Sequence, residues 1–156
     1  MIDLVLKWSP RRRADAIDCH RAVATERGSV WWGRIAFEES PIGLAGHWVK
    51  TLQEQLSSAQ ETYVFLHSSA GGTWQTELRN VATEKAAVNA DLIPAYYDLS
   101  FNYSLWVELR QFHQINPMTL VRNYVLARTG GPLTVRGLNN QTPLILRRGG
   151  NSSRNA

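Results

Sequence analysis

Two adjacent tryptophans lie at the centre of residues 28–35, where an aromatic stacking site could form. Because side chains alternate between the two faces of a strand, Trp31 and Trp32 cannot both point into one core. In one interpretation, one ring is buried and the other faces a pocket, where it could stack on a planar group. Gly33 then leaves room for a ligand or another backbone to come close. In the other interpretation, both rings pack, one on each face of a covered sheet.

Other aromatic residues fall on predicted strands or at their ends, and Trp106 is the odd member of an otherwise polar strand face. Rings that converge can hold a planar or methylated group by stacking and cation–π attraction. A base held between two rings gains about 1–3 kcal/mol. A single ring is more typical of a core, so the functional interpretation depends on convergence. The remaining candidates are Trp8, Trp74, Tyr96 and Tyr97.

The usual catalytic patterns are missing from the sequence. None of the four histidines has the HExxH or HxH spacing of a metal site, and neither GxSxG nor a Walker A loop occurs. Asp15, Asp18 and His20 could form an acid–base group, but they are equally typical of a solvated helix face. Cys19 fits a packed helix stripe better than a nucleophile. We therefore predict a protein that is not an enzyme, with no metal and no cofactor.

Composition indicates one folded domain with a mild excess of positive charge. The 156 residues are 44% hydrophobic and 19% charged, with a formal net charge of +4. This charge is compatible with a polyanionic partner without requiring one. The single cysteine excludes an intrachain disulfide and favours a reducing, cytoplasmic location. No apolar run approaches the roughly 20 residues that cross a bilayer, so no membrane association is predicted.

Hydrophobic periodicity predicts an α+β domain over residues 1–148: a curved mixed sheet or partly closed β-barrel, with helices packed around it. Ser9 is placed to cap the first helix, with Pro10 in its first turn. Residues 149–156 have linker composition, and we expect them to lead into a further domain. Helices are predicted over residues 11–27, 44–56 and 117–127, and strands over residues 2–8, from the tryptophan pair to about 37, 62–67, 73–81, 103–112 and 142–147.

Several of these segments together resemble the EVE and YTH-like branch of the PUA superfold. Residues 4–10 resemble its opening strand and turn, and residues 30–33 its tryptophan element. Residues 62–68 and 74–81 resemble the central hairpin. Residues 94–97, 104–109 and 142–146 resemble a later loop and two strands. The chain is also similar to the N-terminal specificity domains of McrB-type modification-dependent restriction proteins. The doubled tryptophan and the helix over residues 44–56 depart from the family pattern.

This resemblance implies a non-catalytic module that reads a methylated adenine or cytosine in DNA, as in restriction-type antiviral defence. The base would be flipped from the duplex into an aromatic cage. Trp31 or Trp32 would form the first cage wall, and further domains or subunits of a restriction-type assembly would be partners. The other implied contacts are Trp106 and Tyr96 or Tyr97 as walls, Ser9 and Asp18 at the base edge, and Arg11, Arg12, Arg13 and Arg34 on phosphates.

Two other functions fit the same sequence. In the first, the chain is a protein-interaction or assembly module, and its aromatic surface is buried against a partner protein. In the second, it is a small-molecule enzyme whose histidines and carboxylates meet only in the folded state.

Overall fold

The computed structural model describes residues 1–35, 44–140 and 143–149, and it has α+β architecture. The expected helix over residues 44–56 is present as α2, whereas the predicted end of the tryptophan strand at residues 36–37 and the predicted linker over residues 150–156 lie outside the described residues. In chain order the elements are β1 (Ile2–Lys7), α1 (Ala16–Arg27), β2 (Val30–Ile35), α2 (Gly46–Ser57), β3 (Tyr63–Ser68), β4 (Gly72–Ala82), two 3-10 turns (Lys85–Ala87 and Ala90–Leu92), β5 (Tyr103–Ile115), α3 (Pro117–Asn123), β6 (Tyr124–Leu126), α4 (Val135–Asn140) and β7 (Leu144–Arg148).

The seven described strands form one mixed sheet in the order β2-β5-β4-β3-β1-β7-β6. Strand β1 runs parallel to β3 and antiparallel to β7, and β2 runs antiparallel to β5. The prediction of a mixed α+β sheet is confirmed. Strands β2 and β6 occupy the two edges, so the described strands form an open sheet and do not close into a barrel.

The chain divides into two compact units, and the first is built on β1. This unit comprises Met1–Ala14, Tyr63–Thr76 and Phe112–Ala156. Strand β1 is buried along most of its length because it has a neighbour on each side and apolar side chains on both faces. Asp3, the one acidic residue in this unit's sequence, is fully buried and pairs with Arg148 at 2.8 Å. The unit's core contains Val5, Phe65, Leu120, Tyr124, Leu133, Leu138, Leu144 and Leu146.

The second unit comprises Asp15–Thr62 and Glu77–Gln111. Helix α1 packs against β2 and ends at Gly28, whose φ of 95° is the left-handed conformation that favours glycine. Helix α2 buries Val49 and Leu52, together with Gln55, whose side-chain amide donates to Thr62 Oγ1 at 3.0 Å. A separate apolar cluster in this unit is centred on Trp31, Ala82 and Trp106.

Helix α1 begins at Ala16, and the predicted start at residue 11 is wrong. The backbone carbonyl of Ser9 accepts the N–H groups of Arg12 and Arg13, each at 3.1 Å, which closes a turn ahead of the helix. Residues 11–14 are exposed, and the apolar face that packs begins only at Ala16 and Ile17. Ser9 is therefore a turn residue and does not cap the helix.

The predicted helix over residues 117–127 is also shorter than expected. It ends at Asn123 because Tyr124–Leu126 pairs with β7 and the Tyr124 ring packs on Phe65. Helix α4 was not predicted from the sequence. Leu138 is the only residue that it buries, so the segment shows no apolar periodicity. Thr134 Oγ1 accepts the Gly137 N–H at 3.0 Å at its start.

No helix within the described residues is long and apolar enough to cross a membrane.

Candidate nucleic-acid interface

Six rings of the second unit converge in what we call the aromatic cluster. Tyr103 and Trp106 on β5 have ring centroids 4.5 Å apart, and Tyr97 stacks on Trp106 at 5.8 Å. The rings of His20 and Trp32 are 4.2 Å apart. The cluster comprises His20 from α1, Trp32 from β2, Tyr96 and Tyr97 from the loop after the second 3-10 turn, and Tyr103 and Trp106 from β5.

A directional hydrogen-bond chain runs through this cluster. His20 Nδ1 lies 2.7 Å from the carbonyl oxygen of Ala16, which can only accept, so Nδ1 carries the proton of the neutral ring. Nε2 is then an acceptor, and the Tyr97 hydroxyl donates to it at 2.7 Å. The same hydroxyl accepts the N–H of Gly33 at 3.1 Å. The chain therefore links helix α1, the tyrosine loop and the edge strand β2.

Burial fixes the protonation states in this chain. His20 is fully buried, which lowers its pKa to about 4, although its backbone bond to Ala16 opposes the shift. Burial also raises the pKa of Tyr97 well above its ordinary value, and neighbouring Tyr96 adds to the rise. At neutral pH both groups are uncharged, so the donors and acceptors of the hydrogen-bond chain stay in this one arrangement. The solvated-face interpretation is wrong for His20, whereas Asp15 and Asp18 are exposed.

Gly33 is needed because two rings lie directly over it. A Cβ atom at this position would lie 2.7 Å from the Trp106 ring and 2.8 Å from the Tyr103 ring. Its N–H points to Tyr97 and away from β5, at the free edge of β2. The space that the sequence suggested for a ligand beside Gly33 is thus occupied by the cluster itself.

The predicted cage residues differ in how much of each is exposed. Trp106 is 0% exposed, Trp31 2% and Trp32 7%, so all three tryptophans are core residues in this conformation. The interpretation in which both rings of the tryptophan pair are buried describes this structure. Tyr96 and Tyr97 are half-buried and offer the accessible part of the cluster.

One polar atom of a cluster residue has no partner in the part of the chain that the structure describes. Nε1 of Trp106 is buried and makes no hydrogen bond within the described residues. A buried N–H group normally finds an acceptor, and leaving one unpaired costs about 1–3 kcal/mol. Among the described residues, Trp106 therefore carries a buried donor with no acceptor.

Ser9 and Arg11, two of the predicted ligand contacts, belong to the first unit and line a different feature. There they border a cavity of about 250 Å³, which we call the Trp8 cavity. The cage candidates all belong to the second unit. The Trp8 cavity is lined by Lys7, Trp8, Ser9, Pro10, Arg11, His67, Ser68, Ser69, Ala70 and Asn139.

The four arginines predicted to contact phosphates have different surroundings. Arg11, Arg12 and Arg13 are exposed in the first unit. Arg34 is half-buried in the second unit, where it donates to Ser104 Oγ at 3.1 Å, and burial lowers its pKa below the ordinary value. An arginine remains charged at neutral pH even so, and can still contact a phosphate.

Comparison with known proteins adds no assignment. The chain matches no protein-family model, no curated protein and no solved structure.

Charge is divided unevenly between the two units. The first unit's sequence has ten Lys and Arg residues against one acidic residue, for a formal charge of +9. The second has seven against twelve, for a formal charge of −5. The net charge of +4 hides this division because the first unit combines three separate chain segments. Among its described residues, the exposed arginines are Arg11, Arg12, Arg13, Arg122, Arg128, Arg136 and Arg147.

Sequence reasoning missed Tyr103 and His20 as members of the aromatic cluster. Strict alternation along β5 places Tyr103 and Trp106 on opposite faces. The pairing of β2 with β5 shifts here, since Arg34 lies opposite Leu105 and Ile35 lies opposite Tyr103. This irregularity breaks the strict alternation, so Tyr103 and Trp106 can share one side of the sheet. His20 carried no signal, because a polar residue on a helix is usually solvated.

Metal and acid–base chemistry have few candidate groups in the described residues. No group of three or more His, Cys, Asp or Glu side chains there is arranged so that it could hold a metal ion. His67 contributes to the Trp8 cavity, whose described lining contains no carboxylate. Its ring nitrogens contact Thr73 Oγ1 and Asn139 Oδ1, each at 2.8 Å.

Proposed function

We propose that this chain is a non-catalytic nucleic-acid-binding module that reads a methylated adenine or cytosine, in DNA, through its aromatic cluster. One observation carries the proposal: the half-buried rings of Tyr96, Tyr97 and Tyr103 converge with Trp106 in a single unit. Stacking on such rings tolerates any base and is worth about 1–3 kcal/mol for each base. Several rings meeting at one place is the arrangement that favours a stacking site over an ordinary core.

The unpartnered N–H of Trp106 supports a ligand with a hydrogen-bond acceptor. Ring nitrogens and carbonyl oxygens of a base are acceptors of this kind, and proteins read a flipped base by bonding to such edges. In this proposal Tyr96 and Tyr97 are the walls that the base meets first. Trp31, Trp32 and Trp106 form the packed support behind them. Because Trp106 is 0% exposed, its N–H reaches the base only when the Tyr96 and Tyr97 rings move apart.

Charge supports the nucleic-acid part of the proposal. A formal charge of +9 on the first unit gives a strong attraction for phosphates, independent of sequence. Arg11, Arg12 and Arg13 are the exposed candidates for these contacts, and Arg34 is a candidate in the second unit. Asp18, which is exposed in the second unit, remains our candidate for a hydrogen bond to the base edge, whereas Ser9 borders the Trp8 cavity of the first unit.

We further propose that the open mixed sheet belongs to the EVE and YTH-like branch of the PUA superfold. The proposal rests on the sequence segments that resemble that branch. In this view the module is the specificity part of a larger restriction-type assembly and acts in the cytoplasm. The single cysteine, which excludes an intrachain disulfide, supports this location.

A variant of Tyr96 tests base reading better than a variant of either adjacent tryptophan. Replacing a buried tryptophan by alanine costs about 3–5 kcal/mol of stability, so lost binding would reflect unfolding. Tyr96 is half-buried, so we expect Tyr96→Ala to stay folded. Phe101→Ala is the matched control, since it removes a ring that is 54% exposed in the same unit.

The readout is the ratio of affinities for two duplexes that differ in one methyl group. We expect Tyr96→Ala to bring this ratio close to one while affinity for the unmodified duplex is kept. Phe101→Ala should leave the ratio unchanged. Equal weakening of both duplexes by Tyr96→Ala would contradict base reading. Absence of duplex binding, with self-association in sedimentation, would favour the protein-interaction alternative.

A further inference from the structure

The Trp8 cavity lies at the carboxyl ends of two adjacent parallel strands. Lys7 at the end of β1 lies opposite His67 near the end of β3. The backbone N–H of Trp8 donates to the backbone carbonyl of His67 at 3.1 Å, so the strand pairing continues by one residue into the cavity wall. In open α/β sheets, ligands bind in the crevice outside the carboxyl ends of the parallel strands. The Trp8 cavity occupies the corresponding position beside β1 and β3.

The groups that line the cavity suit an anion. Lys7 and Arg11 supply two positive charges, and the described lining has no carboxylate to neutralise them. Ser68 Oγ accepts the N–H groups of Ala70 and Gly71 at 3.3 and 3.0 Å, which leaves its own proton to donate. Hydroxyl and cationic donors around one cavity are the usual partners of phosphate oxygens.

Lys7 is held in place and has protons to spare. Its ammonium group donates to the backbone carbonyl of Asn139. An ammonium group has three donors, so two remain for a ligand. Partial burial lowers the pKa of Lys7, and an anion beside it would oppose this shift by favouring the charged form. Anion binding and protonation of Lys7 are thus expected to support each other.

The cavity walls are fixed without a ligand. The Trp8 ring lies against Gly71, where a Cβ atom would come within 2.4 Å of it, and Trp8 Nε1 donates to the Gly72 carbonyl at 3.2 Å. Asn139 Oδ1 only accepts, so His67 Nε2 donates to it and Nδ1 accepts from Thr73. A site whose walls are already ordered loses little entropy when a ligand binds.

Size narrows the ligand class. A volume of about 250 Å³ is below the roughly 300–1,000 Å³ of pockets for drug-sized molecules. It suits one phosphate group with part of the attached sugar, which could lie against the Trp8 ring. We propose that the Trp8 cavity is a phosphate-binding site for a nucleotide or a nucleic-acid strand. This site deepens the nucleic-acid part of the proposed function and does not require the aromatic cluster to read a base.

The test follows the Trp8 indole N–H and the Ser68 and Ser69 amides by two-dimensional NMR. The probes are thymidine 5′-monophosphate, thymidine and an unmodified 12-base-pair duplex. We expect the monophosphate or the duplex to shift these signals with saturation, and thymidine to leave them unchanged. Saturation by the monophosphate identifies a free nucleotide as the source, and saturation by the duplex alone identifies a backbone phosphate. Equal shifts with thymidine, or no saturable shift, would overturn the proposal.

Variants show whether the two cations act locally. Lys7→Gln and Arg11→Gln should each lower the affinity for the probe that saturates the site by roughly tenfold or more, because each variant loses a hydrogen bond to a charged group. Arg128→Gln removes the same charge from an exposed site in the same unit, outside the cavity lining, and should change affinity little. Equal weakening by Arg128→Gln would overturn a local site.

The outcome is separable from that of base reading. Loss of phosphate binding with retained discrimination of a methylated duplex would remove the Trp8 site and leave the proposed function intact. Phosphate binding without discrimination of the methylated duplex would support the Trp8 site and contradict base reading.

Discussion

The hydroxyl group of Tyr97 donates to Nε2 of His20 across 2.7 Å, between residues 77 positions apart in the chain. The contact is buried at the histidine, and it sets the position of a half-buried tyrosine that we propose as a wall of the base site. The same hydroxyl also holds the N–H of Gly33 at the free edge of β2. Positioning of the candidate site and stability of the second unit are therefore coupled through one oxygen atom.

Tyr97→Phe should lower the free energy of unfolding by about 1–3 kcal/mol, because a buried acceptor on His20 and the Gly33 N–H both lose their partner. Urea unfolding at pH 7.5 measures this loss. Tyr103→Phe is the matched control: it removes a hydroxyl that donates to the Asp98 carbonyl at an exposed site. We expect it to cost under about 1 kcal/mol. Equal losses in the two variants would contradict a special role for Tyr97.

Acid should destabilise the protein through His20. Its pKa is about 4 in the folded state against an ordinary value of 6.5, so between these two pH values the unfolded state binds more protons. Stability therefore falls as the pH drops from about 6.5 to 4, by up to roughly 3 kcal/mol from this residue. Above pH 6.5 the residue contributes no pH dependence.

The titration of His20 is measurable directly. Its ring nitrogen and carbon NMR signals should remain those of a neutral imidazole at pH 5.5, and the wild-type fall in stability should be flattened in His20→Gln. A protonated His20 at pH 5.5, or equal pH slopes in both proteins, would argue against the buried neutral ring.

Gly33→Ala should destabilise the second unit by about 1–3 kcal/mol, because its Cβ would press into the Trp106 and Tyr103 rings. Gly46→Ala offers a matched control at the start of α2, where a Cβ meets no atom within 4 Å. Thermal unfolding of both variants should show a marked decrease in Tm for the first only. A neutral Gly33→Ala would mean that the rings do not lie over this residue in solution.

Local pattern predicted much of the fold. Strands β1, β3, β4 and β7 and helix α2 follow from apolar periodicity and turn residues, which act over a few positions. The wrong predictions concern segments whose secondary structure is set by contacts with residues distant in the sequence. Tyr124–Leu126 is a strand because β7 pairs with it, and the start of α1 is set by the turn at Ser9 and by the first packed residue, Ala16.

The candidate site was less accessible to sequence reasoning than the fold. Aromatic residues could be named, but their burial could not, and Trp31 and Trp32 proved to be core residues. Tyr103 joins Trp106 only because of a register shift, which strict alternation does not reveal. The charge of the first unit was hidden because it is assembled from three segments of the chain.

Binding to matched short duplexes tests the central proposal most directly. Fluorescence polarisation would compare an unmodified duplex with duplexes that carry methyladenine, methylcytosine or hydroxymethylcytosine, at two salt concentrations. We predict tighter binding to one modified duplex, with affinity for all duplexes falling as salt rises, because phosphate contacts release counterions. Equal affinity for every duplex, or no binding to any, would contradict a reader of modified bases.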